Sequence, residues 1–207
     1  MIDLQTLLVF FPAALLLALS PGPDNLFVLA ESAQHGRSAG LAVTFGLCTG
    51  LVGHTLAVAF GLAAIVKASA VAFTVLKSAG ALYLLYLARQ AWRAGAEIGE
   101  SKTPLLSGGE LYQRGIVMNL TNPKVSLFFL AFLPQFADPR RGSMTTQFLE
   151  LGALFILATL IVFGGLSMVA GGVGERFRRS PAALRLVNRA AAAVFVALAL
   201  RLASVER

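Results

Sequence analysis

Two short polar segments interrupt long apolar runs of this 207-residue chain, and their residues are the ones with informative chemistry. The first segment reads Pro21-Gly22-Pro23-Asp24-Asn25. Proline lacks an amide proton and clashes with the carbonyl four residues before it, so the two prolines free backbone groups of a helix. An unpaired backbone group in hydrocarbon costs several kcal/mol, and such a break is therefore stable only inside protein or beside water. We expect this break to line a buried polar site.

Asp24 is the acidic residue of the first break. A carboxylate within a membrane segment costs about 2.5–3.5 kcal/mol on insertion scales, so such residues are rare and mark functional sites. The alternative is a cap at a membrane surface, because Asp24 and Asn25 suit the first turn of a helix. Both interpretations hold together if the helix begins within the membrane.

The second break covers residues 119–124 and contains Asn119, Asn122, Pro123 and Lys124. Pro123 removes the hydrogen bond that the Asn119 carbonyl would otherwise accept. Lys124 is the only charged residue from Gly115 to Phe136, and from mid-span a lysine barely reaches an interface. We expect Lys124 to pair with Asp24 or with a substrate carboxylate; the alternative is a lysine that faces the surface.

The remaining candidate is His54, which lies inside the second apolar run. A titrating imidazole there relays protons, whereas the alternative is a histidine that only forms a hydrogen bond between helices. The chain has one cysteine and two histidines, and it lacks a Cys/His cluster, a nucleophile elbow and a phosphate loop. The sequence therefore predicts no metal site, no cofactor and no enzyme.

The composition indicates a membrane protein. Hydrophobic residues make up 57% of the chain and charged residues 13%, against about 25% charged in soluble domains. The net charge is +7, and the basic residues lie in the connections between apolar runs, which suits an anionic cytoplasmic leaflet. Nucleic-acid binding is not expected, because no basic stripe is interleaved with aromatic residues.

Six apolar segments account for most of the chain, and each is near or above the ~20 residues that a helix needs to cross ~30 Å of hydrocarbon. The alternation of a membrane β-barrel is absent. We therefore predict an all-α integral membrane protein with six transmembrane helices. The segments cover residues 4–33, 40–66, 71–91, 111–136, 145–173 and 182–203.

An internal duplication is suggested by Pro23 and Pro123, which lie 100 residues apart, each in the first segment of a half. An odd number of crossings per half predicts two inverted three-helix repeats with broken first helices, a plan typical of secondary transporters. We predict a single domain over 1–207, with repeat 1 at about 1–92, a cytoplasmic linker at about 93–110 and repeat 2 at about 111–207. The alternative is a coincidence of two prolines.

Orientation follows from the lysines and arginines. Ten of them lie on the side of connections 1–2, 3–4 and 5–6 and five on the other, which predicts that the first side is cytoplasmic and both termini are outside. If the first segment is re-entrant, five crossings are left and the N-terminus changes side. The first basic residue is Arg37, so the N-terminal apolar run lacks the charged start of a signal peptide and is expected to be retained.

The sequence resembles the LysE/RhtB family of amino-acid exporters across nearly its whole length. The motifs that carry the resemblance are Ser20-Pro21-Gly22-Pro23-Asp24-Asn25, Gly36-Arg37 with Gly40, Gly80-Ala81-Leu82-Tyr83-Leu84, Asn122-Pro123-Lys124 and Phe132-Leu133-Pro134-Gln135-Phe136. The resemblance implies a multi-pass exporter of the bacterial inner membrane, driven by the proton gradient. It implies substrates such as lysine, arginine, threonine, homoserine or leucine, and for some relatives cadmium.

These observations combine into one hypothesis. The substrate lies between the two breaks, where Lys124 and helix N-termini hold its carboxylate and the acidic and amide side chains hold its ammonium group. Protonation of Asp24 then couples export to proton entry. The alternatives are a cadmium-type metal exporter, disfavoured by the few soft ligands, and a membrane assembly module without transport. The glycine-rich second segment permits a homodimer. The substrate-binding candidates are Pro21, Gly22, Pro23, Asp24, Asn25, Asn119, Asn122, Pro123 and Lys124; the proton-coupling candidates are Asp24 and His54.

Overall fold

The structure, a computed structural model, describes residues 2–20, 22–62, 70–93, 106–170 and 181–204, and every regular element in these ranges is a helix. The prediction of an all-α protein is confirmed for this part of the chain. Besides the α-helices there are a π-helix at Ala57–Leu62 and two 3-10 helices at Leu133–Phe136 and Pro139–Arg141. The α-helices are α1 (Leu4–Leu19), α2 (Pro23–His35), α3 (Arg37–Leu56), α4 (Ala70–Arg93), α5 (Gly108–Thr121), α6 (Pro123–Ala131), α7 (Met144–Val169) and α8 (Pro181–Ser204).

Several of these helices are suited to crossing a membrane. Within the described ranges, α3 with its π-helical extension and α7 are long and apolar enough by themselves. The pairs α1–α2 and α5–α6 satisfy the same criteria only when each pair is taken as one bent span, with bends of 61° and 54°. The predicted interruptions of the first and fourth apolar segments are therefore present as bends between short helices.

The breaks are shorter than the sequence predicted. The helix α2 begins at Pro23, so Asp24 and Asn25 belong to its first turn, and Asn122 is the single residue between α5 and α6. A proline at the first helical position needs no amide proton, so Pro23 and Pro123 begin helices rather than extend the breaks. Pro21 and positions 94–105 of the predicted linker lie outside the described residues.

The start of α1 is capped by the Asp3 side chain. The Asp3 carboxylate accepts a hydrogen bond from the Thr6 amide at 2.9 Å. It also forms an ion pair with Arg141, in which Oδ2 lies 2.7 Å from Nη1. The hydrogen bonds from Thr6, with a further contribution from Arg141, lower the pKa of Asp3 to about 2. This ion pair attaches the start of α1 to the turn that precedes α7.

Two apolar clusters fill the interior, one on each side of the level at which the helices break. The first contains Leu51 of α3 and is dominated by phenylalanines, and the second contains Leu47 of α3. The level between Leu47 and Leu51 is therefore where the apolar interior changes from one cluster to the other. The phenylalanines of the first cluster are Phe10, Phe128, Phe129, Phe132, Phe136, Phe148, Phe155 and Phe195.

The crossing of α3 and α5 depends on glycine. A Cβ atom at Gly46 would lie 2.1 Å from the Tyr112 carbonyl oxygen, and one at Gly115 would lie 2.5 Å from the Val43 carbonyl oxygen. These neighbours are backbone atoms, which cannot rotate away as a side chain can. The two glycines therefore set the distance between the helices, as small residues do in membrane bundles.

We expect Gly46→Ala to separate α3 from α5 and to lower stability by about 1–3 kcal/mol, the usual cost of overpacking. The thermal midpoint of the detergent-solubilised protein, followed by size-exclusion chromatography, measures the effect. Gly165→Ala is the matched control, because a Cβ there meets no atom within 4 Å. Equal midpoints for the two variants would contradict this account of the crossing.

Candidate functional site

The first turn of α2 brings two polar side chains into the interior. Asp24 and Asn25 are buried, and the preceding Gly22 gives the helix no side-chain cap. The Asn25 Nδ2 donates to the Ala18 carbonyl of α1 at 2.6 Å. Because a carbonyl only accepts, this bond fixes the orientation of the amide. The Asn25 Oδ1 is consequently the free atom, and it has no hydrogen-bond partner.

The Asp24 carboxylate is the acidic centre of the site. Its Oδ1 is buried without a hydrogen-bond partner. The side chains that act on it electrostatically come from the other two elements at this level: Asn119, Asn122 and Lys124 around the second break, and His54 from α3. The bends therefore bring together the polar residues of two segments that lie far apart in sequence.

Lys124 joins the second break to the first. Its Nζ donates to the Ser20 carbonyl at 2.8 Å and to the Leu17 carbonyl at 3.2 Å. Both carbonyls belong to the end of α1, where the last turn of a helix leaves acceptors unpaired and where the helix dipole favours a cation. A Cβ at Gly22 would lie 3.2 Å from the same Nζ, so the ammonium group lies directly against the first break.

Lys124 and Asp24 form no direct ion pair in the structure, although the two charges are close enough to interact. Among the ion pairs of the described residues none joins these two side chains, although the lysine charge contributes to the electrostatic environment of the carboxylate. Lysine carries three donor hydrogens, and two of them face the α1 carbonyls. The third is therefore available to a further acceptor.

Asn122 and Asn119 each have one buried side-chain atom without a hydrogen-bond partner, and Asn122 also caps a helix. The Asn122 Oδ1 caps α6 by accepting from the Lys124 amide at 3.0 Å, which leaves its Nδ2 buried and without a partner. The Asn119 Oδ1 is likewise unpartnered. Its side chain packs against Gly50, where a Cβ would lie 2.7 Å from Oδ1. Gly50 thus makes room for Asn119 at the boundary between the two apolar clusters.

His54 contacts the backbone group that Pro123 sets free. The Asn119 carbonyl accepts from His54 Nε2 at 3.2 Å and from the Asn122 amide at 3.1 Å. Nε2 must carry the proton in this contact, since the carbonyl has none to give. This geometry matches the hydrogen-bonding alternative for His54, with a backbone carbonyl as the partner.

Four buried atoms of the site therefore have no hydrogen-bond partner. Three are acceptors and the fourth is an amide donor. Buried polar groups are almost always paired, so a cluster of unpaired ones points to a polar ligand. The acceptors suit an ammonium group, and the amide and the lysine suit an anionic oxygen. The atoms are Asp24 Oδ1, Asn25 Oδ1, Asn119 Oδ1 and Asn122 Nδ2. Among all residues that the structure describes, no group of three His, Cys, Asp or Glu side chains is placed to hold a metal ion.

One buried carboxylate was missed by the sequence analysis. Glu31 lies two turns after Asp24 in α2 and is fully buried. Its Oε2 contacts His35 Nδ1 at 2.8 Å, while its Oε1 has no hydrogen-bond partner. The signal was present in the sequence, since positions seven apart share one face of a helix.

Comparison with known proteins identifies the family to which the chain belongs. The chain matches the family described as LysE type translocator over residues 15–205, and it belongs to this family. It is 36% identical to a homoserine/homoserine lactone efflux protein of Salmonella typhi over 190 residues, 91% of each chain. It is 33% identical to an uncharacterized membrane protein of Vibrio cholerae over 205 residues, 99% of each chain. No solved structure gives a match.

Family membership confirms two predictions made from the sequence. The protein is a membrane protein, and it is of the translocator type that the paired motifs indicated. The prediction that it is not an enzyme agrees with a family of translocators.

We expect His54→Gln to preserve thermal stability and His54→Leu to lower it by about 1 kcal/mol, the usual contribution of one hydrogen bond. Glutamine keeps a donor for the Asn119 carbonyl, whereas leucine has none. The melting midpoints of the two purified variants measure this difference. A loss of stability in the glutamine variant as large as in the leucine variant would contradict the structural role of His54.

Proposed function

We propose that this protein is a secondary transporter that exports an amino acid or a close derivative across the bacterial inner membrane in exchange for protons. The observation that carries the proposal is the meeting of the two helix breaks. There, four buried polar atoms without partners lie near the Lys124 ammonium group, and one of the four belongs to the Asp24 carboxylate. Transporters commonly place their substrate where two discontinuous helices meet.

The chemistry of the cluster matches an α-amino acid. A free amino acid has an ammonium and a carboxylate group on one carbon, so it needs acceptors and donors within a few ångströms of each other. Asp24, Asn25 and Asn119 supply the acceptors. The Asn122 amide and the third hydrogen of Lys124 supply the donors, and the uncapped start of α2 adds the positive end of a helix dipole.

Homoserine and its lactone are the substrate class that the Salmonella relatives suggest. Both compounds carry the ammonium group, but only homoserine has a free carboxylate. The acceptor cluster around Asp24 therefore provides the recognition that the two compounds share. Lys124 contributes mainly to the open acid.

The helix contacts support two inverted three-helix repeats. Exchanging the halves maps α1–α2 onto α5–α6, α3 onto α7 and α4 onto α8. Under this exchange the contact of α1 with α7 becomes that of α5 with α3, and the contact of α2 with α7 becomes that of α6 with α3. The pairs α3–α7 and α4–α8 map onto themselves. Such exchange-related contacts suit alternating access, in which one repeat rocks against the other.

The distribution of basic residues over the two ends of the bundle supports one orientation of the protein in the membrane. The end of α2, the start of α3 and the start of α5 share one end of the bundle, since the second apolar cluster joins them. Arg37 and Arg114 belong to that end, and the rule that cytoplasmic connections carry more basic residues assigns it to the cytoplasm. The Asp3–Arg141 ion pair then lies on the outer side.

Asp24 is the group that we propose for coupling. As a carboxylate it attracts the substrate ammonium, and on protonation it loses the negative charge and with it most of that attraction. A proton that enters from outside thus favours release of the substrate to the outside. The emptied carrier returns with the proton, and loss of the proton to the cytoplasm restores the carboxylate for the next substrate.

We expect Asp24→Asn to lose export of both homoserine and its lactone, and Lys124→Met to lose more export of homoserine than of the lactone. One hydrogen bond to a charged group contributes about 1.5–3 kcal/mol, so affinity falls roughly tenfold to a hundredfold for each lost contact. Excretion is measured in cells that express each variant, supplied with homoserine-containing dipeptides or with the lactone.

Asp138→Asn is the matched control for the loss of a carboxylate, because Asp138 pairs with Arg140 in the turn after α6 and is remote from the breaks. Membrane insertion and melting midpoints are measured for every variant. Full export by both the Asp24 and the Lys124 variants would refute the proposed site. If a panel of amino acids shows no excretion that depends on the gene, the proposed function fails.

A further inference from the structure

Glu31 is a second buried acidic group on the helix that carries Asp24. It has no exposed surface, and the side chain of its partner His35 is only 16% exposed. A carboxylate in such a place is costly unless it is fully paired or protonated. The hydrogen bond to His35 Nδ1 satisfies Oε2, but Oε1 is left without a partner. One of the two carboxylate oxygens of Glu31 is thus paired and the other is open to a further donor.

Asp24, Glu31 and His35 form a row of titratable side chains along α2, from the break to the end of the helix. Asp24, Glu31 and His35 follow one another along α2, with steps of seven and four residues. Seven residues of α-helix rise about 10.5 Å, so the carboxylates are on one face but too far apart for direct contact. Asp24 lies at the break, whereas His35 is the last residue of α2 before Gly36. The three groups therefore lead from the substrate site toward the end of the bundle.

The elements around Glu31 offer few competing charges. Arg37 begins α3, and Arg114 of α5 lies over the Phe27 ring of α2 at 4.8 Å. The α7 segment at this level contributes Ser167, since its acidic residue, Glu150, is bonded to the Ile2 amide at the other end. The only titratable group of α1 in the described chain is Asp3, which caps its far end. His35 is thus the one titratable side chain that contacts the Glu31 carboxylate within the described residues.

We infer that the Glu31–His35 pair is a second proton-binding site, through which the proton carried by Asp24 is exchanged with the compartment at the Gly36 end of the bundle. The O–H bond of protonated Asp24 breaks, water relays the proton over the intervening distance, and an O–H bond forms at Glu31 Oε1. The protonated Glu31 carboxyl then gives its proton to the unprotonated Nδ1 of neutral His35, which restores the carboxylate and forms an imidazolium. Loss of one N–H proton from that ring to solvent at the end of α2 restores neutral His35. This inference rests on the proposed proton antiport and adds a residue that does not contact the substrate.

The inference separates two modes of transport. Exchange of external for internal substrate at equal pH needs the substrate site but no net proton movement. Transport driven by a pH gradient needs both. We expect Glu31→Gln to retain homoserine exchange close to the level of the unaltered protein, and to lose gradient-driven transport by about a hundredfold or more, the lower end of what a positioned proton-transfer group contributes.

The experiment uses the full chain in proteoliposomes with radiolabelled homoserine, with and without an imposed pH gradient. Glu150→Gln is the matched control, because Glu150 is a partly buried carboxylate elsewhere in the fold and glutamine can still accept from the Ile2 amide. This variant should retain both modes of transport. Glu31→Asp should recover part of the driven transport, since it restores a carboxylate. Asp24→Asn should lose both modes.

The outcomes distinguish this inference from the function on which it rests. Normal driven transport by Glu31→Gln, alongside an active unaltered protein, overturns the inference and leaves the proposed function standing. Loss of both modes in Glu31→Gln and Glu31→Asp alike also overturns it, because that result assigns Glu31 to structure. No transport by the unaltered protein in either mode overturns the proposed function and the inference together.

Discussion

The bonds from the Lys124 ammonium to the end of α1 connect the two halves of the structure. A helix that stops inside a hydrophobic interior leaves carbonyl oxygens without partners, and each is costly in hydrocarbon. Lys124 Nζ donates to two of these oxygens, at Leu17 and Ser20, while its own backbone begins the helix after the second break. The second break thus supplies donors to carbonyl oxygens at the first.

The same constraint explains the rest of the polar layer. Pro123 deprives the Asn119 carbonyl of its helical donor, and His54 and the Asn122 amide replace it. Asn25 satisfies Ala18 of α1 in a similar way. After these repairs the atoms left over are the acceptors of Asp24, Asn25 and Asn119 and one amide of Asn122. These contacts pair backbone carbonyls, whereas the atoms that have no partner are side-chain atoms, which we propose as the substrate contacts.

Much of the fold was predictable because bilayer physics acts on composition and length. Apolar runs, their number and the two proline breaks follow from the sequence, since a hydrocarbon environment allows few alternatives to helices. The extent of the breaks was not predictable in detail: Pro23 and Pro123 begin helices, so the interruptions shrink to a few residues. The close crossing at Gly46 and Gly115 also escaped prediction, because glycine spacing by itself does not name the partner helix.

By itself the sequence determined that Asp24, Asn119, Asn122 and Lys124 lie at or beside helix breaks, because proline and charge in an apolar run are local properties. Only the tertiary structure decided what each atom contacts. It gave Lys124 to the α1 carbonyls instead of a direct ion pair, turned His54 toward a backbone oxygen, and buried Glu31 beside His35. The reason is that hydrogen bonds depend on distances between segments about a hundred residues apart, and those distances exist only once the helices have packed.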